Sequence, residues 1–319
     1  MIYLDCAATS LQKPREVPYA VSRAMTTMAS PGRGCHKPAM LAADCVLNCR
    51  MLLASFFNIP EPENVIFTLN ATHGLNIAIN SLVSEGDRVV VSGYEHNSVT
   101  RPLKALNADV VFARSRLFDQ KAAVKAFREA LPGAKCAVCT HVSNAFGFIL
   151  PIREIAGLCR EFQVPLIVDA SQSAGTLTLD FSELGAEFIA MPGHKGLLGP
   201  QGTGVLICGG NSKPILFGGT GSNSAESMMP EFLPDRLEAG THNVSGVAGL
   251  MQGVKFIMSK PKGTILRHEQ ELCSSFAEKI YNIPGLKLFF DDTMESQSGV
   301  LSIMCDRLAC DDFAVRLGA

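Results

Sequence analysis

The sequence predicts an α/β protein: a mostly parallel central sheet covered by helices, followed by a small α+β domain. Three observations predict it. Short apolar bursts alternate with longer segments of helical period through the middle of the chain, the pattern of βαβ units. Several of those bursts carry no polar alternation, as expected of strands with helices on both faces. The 319 residues are 47% apolar and 18% charged, enough for one large domain with a smaller one attached.

In chain order, residues 89–92 and 108–113 are β-branched strand candidates. A helix follows in AAVKAFREA, where Val124, Phe127 and Leu131 recur at helical spacing and Pro132-Gly133 stops the run. Residues 136–140 read as a strand, 151–162 as a helix opened by proline, and 165–169 as a strand again. Residues 187–191 and 205–208 complete the sheet, which is a right-handed parallel assembly with an antiparallel strand possible near Val205. Residues 209–245 are glycine-rich, polar and aperiodic, which favours a functional loop over a plain surface connection. Helices are expected at 246–258 and 264–281, strands at 286–290 and 300–305, and a further helix from 311. The expected division is a large domain over 12–258 and a small one formed by an N-terminal strand in 1–11 together with 259–319.

A formal net charge of -2 gives no basis for a nucleic-acid or acidic-membrane partner, though local groups can still hold a small anion. The start, MIYLDCAATS, has no basic region followed by an apolar run, and no stretch approaches the roughly 18 uninterrupted apolar residues of a membrane span. The eleven cysteines therefore read as free thiols in a reducing, cytoplasmic setting. Cys136 and Cys139 form a CxxC, but on a strand their side chains point to opposite faces, so no metal site is expected there.

Residues that end a strand or follow one matter most, because ligands of such sheets bind at the strands' carboxyl ends. Asp169 ends its strand, and Gly193-His194-Lys195 follows another. A desolvated lysine can bind an aldehyde cofactor covalently, and an aspartate can keep a pyridine nitrogen protonated. From spacing alone the pair is weak evidence. The glycines of GHKGLLGPQGTG strengthen it, since they permit close backbone approach around Lys195.

These residues belong to a longer series: YLDCAAT, PGRGCH, NATHGLNIAI, YEHNS, HVSNAFG, VDASQ, PGHKGLLGPQGTG and EAGTHN, spread over nearly the whole chain. The series resembles the class V aminotransferase group of fold-type I pyridoxal-phosphate enzymes, above all the cysteine desulfurases and selenocysteine lyases. The resemblance implies pyridoxal 5′-phosphate as cofactor, held by Lys195, with Asp169 at the pyridine nitrogen and His96 stacked on the ring. It places Gln172 and Asn144 at the phenolic oxygen or the substrate carboxylate. Ala71, Thr72 and His73 look like the phosphate turn ahead of a helix, where free N–H groups and the helix dipole favour an anion, and His194 is a further donor. It also implies a homodimer in which Thr220 contacts the phosphate across subunits, a cysteine-like amino-acid substrate and a sulfur-acceptor protein. Arg33 and His36 resemble a wall of the site. Arg236, Glu238 and Asn243 lie where they organise its entrance or form structural salt bridges.

Some positions depart from the family pattern. Relatives commonly have an acidic residue at His73, a second histidine at Asn97, and Ser or Thr at Pro192, which offers neither hydroxyl nor N–H. A desulfurase also needs a thiol that takes the substrate sulfur, placed in relatives in a segment Arg-x-Gly-x-x-Cys-Ala. The chain has no complete match to it. Residues 311–319 resemble the helix before that segment, so Arg316 is an ordinary helix residue and the chain is expected to be a shortened form of a longer protein. Cys305 and Cys310 lack the family's flanking residues. The expected activity is conversion of L-cysteine or L-selenocysteine to L-alanine. An aminotransferase, another amino-acid lyase or a catalytically impaired scaffold are the alternatives.

Overall fold

The computed structural model describes all residues except Met1, Arg33, Asn223, Ser224 and Ala319, so the expectation for Arg33 lies outside the described residues. Helices α1 (Glu16–Thr27) and α2 (Lys37–Phe57) lead into β1 (Val65–Thr68) and α3 (Ala71–Leu82). Then come β2 (Arg88–Ser92), α4 (Asn97–Ala105), β3 (Asp109–Ala113), α5 (Gln120–Ala130), β4 (Cys136–Thr140) and α6 (Ile152–Glu161). β5 (Leu166–Asp169), the short α7 (Phe181–Leu184), β6 (Phe188–Pro192) and β7 (Gly204–Cys208) follow. After a long connection, α8 (Val244–Met258), α9 (Thr264–Ile280), β8 (Leu286–Phe289), β9 (Ser302–Cys305) and α10 (Cys310–Gly318) end the described chain.

Seven strands form one sheet in the order β1-β7-β6-β5-β4-β2-β3. β7 runs antiparallel to both its neighbours, and the other pairs are parallel. Every residue of β4, β5 and β6 is buried, which explains why these strands show no polar alternation. Alternate residues instead serve two cores. Cys136, Val138, Ile167 and Ala190 pack with Leu75 of α3 and Leu103 of α4. Ala137, Cys139, Val168 and Met191 pack on the opposite face with Leu53 of α2, Phe127 of α5, Ile155 of α6 and Leu250 of α8. The two cysteines of the CxxC thus belong to different cores. Among the described residues no group of three or more His, Cys, Asp or Glu is arranged to hold a metal ion.

The small C-terminal unit consists of α9, α10 and an antiparallel β8–β9 pair. Residues 2–11 form no strand, which differs from the expected N-terminal strand. Ser10 N–H instead donates to the His194 carbonyl (3.1 Å), so this segment runs along the turn after β6. α2 also differs from expectation. By length and composition it is apolar enough to cross a membrane, with a mean hydropathy of 1.5. Its inner face packs on α8, and Arg50 in its midst is buried in an ion pair.

Candidate functional site

The carboxyl ends of β2, β4, β5 and β6 meet at one place, and the tight turns after β5 and β6 define it. Asp169 is the last residue of β5 and is 2% exposed. Its Oδ1 accepts from Ser171 N–H (2.9 Å) and Ser171 Oγ (2.5 Å), while Oδ2 has no hydrogen bond among the described residues. Burial pushes the carboxyl above its ordinary range, against the Ser171 hydrogen bonds and the pull of Lys195 and His96.

Lys195 reaches the same place through glycine. The turn closes by Gly199 N–H to the Gly193 carbonyl (2.7 Å) and Leu198 N–H to the Lys195 carbonyl (2.9 Å). A Cβ on Gly196 would overlap the Ala174 carbonyl, and one on Gly175 (φ +90°) would overlap the Gly196 carbonyl. The two turns therefore interlock backbone to backbone, bringing Lys195 beside Asp169. Partial burial lowers the Lys195 amine below its ordinary pKa, with Asp169 and Asp5 opposing. Thr9 and Ser10 hydroxyls donate to the His194 carbonyl (3.2 and 3.0 Å), and His194 Nδ1 meets Thr9 Oγ1 (3.0 Å). Gln172 Nε2 donates to the Ala7 carbonyl (3.0 Å), leaving its Oε1 as the group free for a ligand.

The first turn of α3 lies on the other side. Asn70 caps the helix, accepting from His73 N–H (2.9 Å), and the N–H groups of Ala71 and Thr72 have no acceptor among the described residues. Thr72 Oγ1 contacts Ser98 Oγ (2.7 Å), whose own partner is His96 Nδ1 (2.9 Å). The exposed His96 caps α4 and accepts from Ser98 N–H (3.1 Å). His73 Nδ1 accepts from Leu69 N–H (3.3 Å), its Nε2 is buried without a partner among the described residues, and burial lowers its pKa.

The structure thus joins Thr72, next to Ala71 in the first turn of α3, to His96 through Ser98, and brings Asp169, Gln172, His194 and Lys195 onto the interlocked turns. Asn144 lies exposed in the turn after β4. Thr220 is not tied to this cluster; its hydroxyl contacts Ser222 Oγ (3.2 Å) within its own segment. Pro192 ends β6 opposite Gly204 of β7. His36 caps α2. Glu238 takes the structural alternative: it pairs with Arg50 (2.9 and 2.8 Å) and His242 (2.6 Å), and accepts Phe67 N–H (2.6 Å). Asn243 caps α8. Sequence reasoning did not find Ser98, Asn70, Thr9 or Ser10. Asn70 carried a signal, an asparagine just before a helix; the others act through contacts distant in sequence.

The sequence profile of class-V aminotransferases matches residues 2–319. The chain belongs to the class-V aminotransferase family. Pyridoxal 5′-phosphate is the cofactor of this class-V enzyme. It is similar to a probable cysteine desulfurase of Methanothermobacter thermautotrophicus, with 30% identity over 98% of this chain and 80% of that protein. A probable cysteine desulfurase of Streptomyces coelicolor is 32% identical over 95% of this chain and 76% of the relative. In three dimensions the class-V chain superposes on the apo structure of the cysteine desulfurase from Thermococcus onnurineus NA1, with a TM-score of 0.90 and 29% identity, covering 99% of this chain and 82% of that one.

Proposed function

We propose that the chain is a cysteine desulfurase, acting on L-cysteine or L-selenocysteine and leaving L-alanine. The observation that carries the reading is the interlock that brings a half-buried lysine of lowered pKa beside a buried aspartate. The residues fit the cofactor. Lys195 would hold it covalently, and Asp169 Oδ2, without a hydrogen bond here, would face a protonated pyridine nitrogen. The unpaired N–H groups of Ala71 and Thr72, with His73 and His194, would take the phosphate at the start of a 12-residue helix. His96 would cover the ring, Gln172 Oε1 and Asn144 would orient substrate, and Thr220 would come from a partner subunit.

When bound, the cofactor draws electrons away from the substrate's α-carbon. The residues do the rest. Lys195, whose amine partial burial holds below its ordinary pKa, would take and return a proton at the α-carbon. Asp169 would hold the proton on the ring nitrogen. With a thiolate acceptor, the substrate C–S bond breaks, an S–S bond forms, and a proton goes to the β-carbon: cysteine plus thiol gives alanine plus persulfide.

No cysteine of this chain is assigned the acceptor role; Cys305 and the exposed Cys310 lie at β9 and α10 of the small unit. The reading includes a thiol that takes the substrate sulfur, as a sulfur-acceptor protein would present. It also includes a large domain of 12–258, a small one of 1–11 with 259–319, and a cytoplasmic homodimer serving a sulfur-acceptor protein. Exposed Met40, Leu47 and Met51 of α2, with Phe217 and Met228, support an apolar subunit contact. The free state of all eleven cysteines supports a reducing compartment.

Purified protein given pyridoxal phosphate, L-cysteine and excess dithiothreitol, which serves as thiol acceptor and then reduces the persulfide to sulfide and its own disulfide, should develop a cofactor absorption band and release alanine and sulfide. Lys195→Ala should abolish the band and cut alanine formation by roughly 10²–10⁴-fold. An oxo acid as product would identify an aminotransferase instead, and a protein that takes up no cofactor would overturn the reading.

A further inference from the structure

Beneath this site lies a carboxyl that the chemistry above does not use. Glu95 follows β2 and directly precedes His96. Its Oε1 accepts two hydrogen bonds, from Ser92 Oγ at the end of β2 (2.5 Å) and from Thr140 N–H at the end of β4 (2.8 Å). Thr140 is in register with Asp169 on β5. Oε2 is buried and has no partner among the described residues. An ionised carboxylate here would leave one oxygen unsolvated and stand close to a second buried carboxylate. The titratable groups that bear on Glu95 are Asp169 on β5 and the Cys139 thiol on β4, and neither is cationic. The nearby cations Lys195 and His96 act on Asp169.

We propose that Glu95 is a neutral carboxylic acid and a positioning residue: it joins the carboxyl ends of β2 and β4, fixes His96 at the head of α4, and leaves the anionic role to Asp169. The inference rests on the roles given to His96 and Asp169 above. It accounts for an acid where a charged group would be costly, because the protonated form keeps both hydrogen bonds to Oε1 without placing two like charges side by side. Burial pushes Glu95 up to about 8, Asp169 adds to the shift, and Ser92 and Thr140 oppose it.

The sign of the linkage gives the test. From the ordinary value of 4.5 to about 8, the folded chain keeps a proton that the unfolded chain has released. Stability contributed by the neutral acid is therefore complete below that window, declines as pH rises through it, and levels off above it. Glu95→Gln removes the titration and retains a neutral side chain of the same shape. Denaturation of the full chain, with and without added pyridoxal phosphate, is compared between pH 5 and 8 at one protein concentration. The folding constant of the wild type relative to E95Q should fall by about tenfold per pH unit. E95Q should also keep the cofactor absorption spectrum of the wild type, while E95A loses cofactor roughly tenfold more readily. A pH-independent ratio overturns the neutral acid, and an E95Q as impaired as E95A overturns the positioning role. If E95A does not fold, the E95Q ratio and spectrum still decide. The cofactor-free measurement does not depend on Lys195, so its failure is distinct from failure of the desulfurase reading.

Discussion

The strands beneath Lys195 and the connection between β7 and α8 are held in opposite ways. In β4, β5 and β6 every side chain is buried, and each large apolar one contributes about 1.5–3 kcal/mol, so the load is spread over many positions. The connection has no helix or strand among its described residues, and it leaves Phe217 and Met228 more than three-quarters exposed. Besides Leu237 and its apolar neighbours, one buried carboxylate ties it down. Glu238 binds Arg50 of α2, the backbone of β1 and His242 at once. Distributed packing tolerates the loss of any one contact better than a single buried charge tolerates the loss of its partner.

The largest expected effect follows from that contrast. Glu238→Ala leaves Arg50 charged and buried, and should cost about 3–5 kcal/mol in chemical denaturation, with faster proteolysis inside residues 209–243. Burial pushes the Glu238 carboxyl up, but His242 and Arg50 outweigh it and hold it below its ordinary value. The stability it supplies is thus present above the unfolded pKa and lost as pH falls through the lower folded value, and E238A should remove that acid-side loss. A cost under about 0.5 kcal/mol would erase the contrast, since it is the size of an ordinary surface change. Gly196→Ala tests the other region: a methyl driven into the Ala174 carbonyl should cost about 1–3 kcal/mol and weaken cofactor retention, read by absorbance after gel filtration. Unchanged retention would mean that the two turns are not required to interlock. Asn243→Ala, which removes the cap of α8 and a bond to the Gly202 carbonyl, should cost only about 1 kcal/mol by the same denaturation assay.

The same contrast governs what could be read in the sequence. Residues 136–140 were legible to the residue, because an apolar run bounded by Pro-Gly and polar residues has few other uses. The antiparallel strand near Val205 was also legible. α1 and α2 were not. α2 buries Cys45, Cys49 and Leu53 on one side and exposes Met40, Leu47 and Met51 on others, so no single apolar stripe marks it. In the site, the glycines around Lys195 carried the signal. Thr72 and Ser98 did not signal their contact, because 26 residues separate them and nothing local pairs the two hydroxyls until the sheet brings α3 beside α4. Glu95 was hidden for the same reason, its partner Thr140 being on another strand.

The turn after β4 belongs mechanically to two bodies. Ile149 N–H donates to the Ser296 carbonyl (2.8 Å), Ser298 N–H to the Gly147 carbonyl (2.8 Å), and Gln297 Nε2 to the Phe146 carbonyl (3.1 Å). Phe146 also meets Phe289 of β8 edge to face. Any tilt of the C-terminal unit must therefore drag Asn144 along with it. Load applied to that turn is thereby passed to a lever whose far arm is α9 and α10.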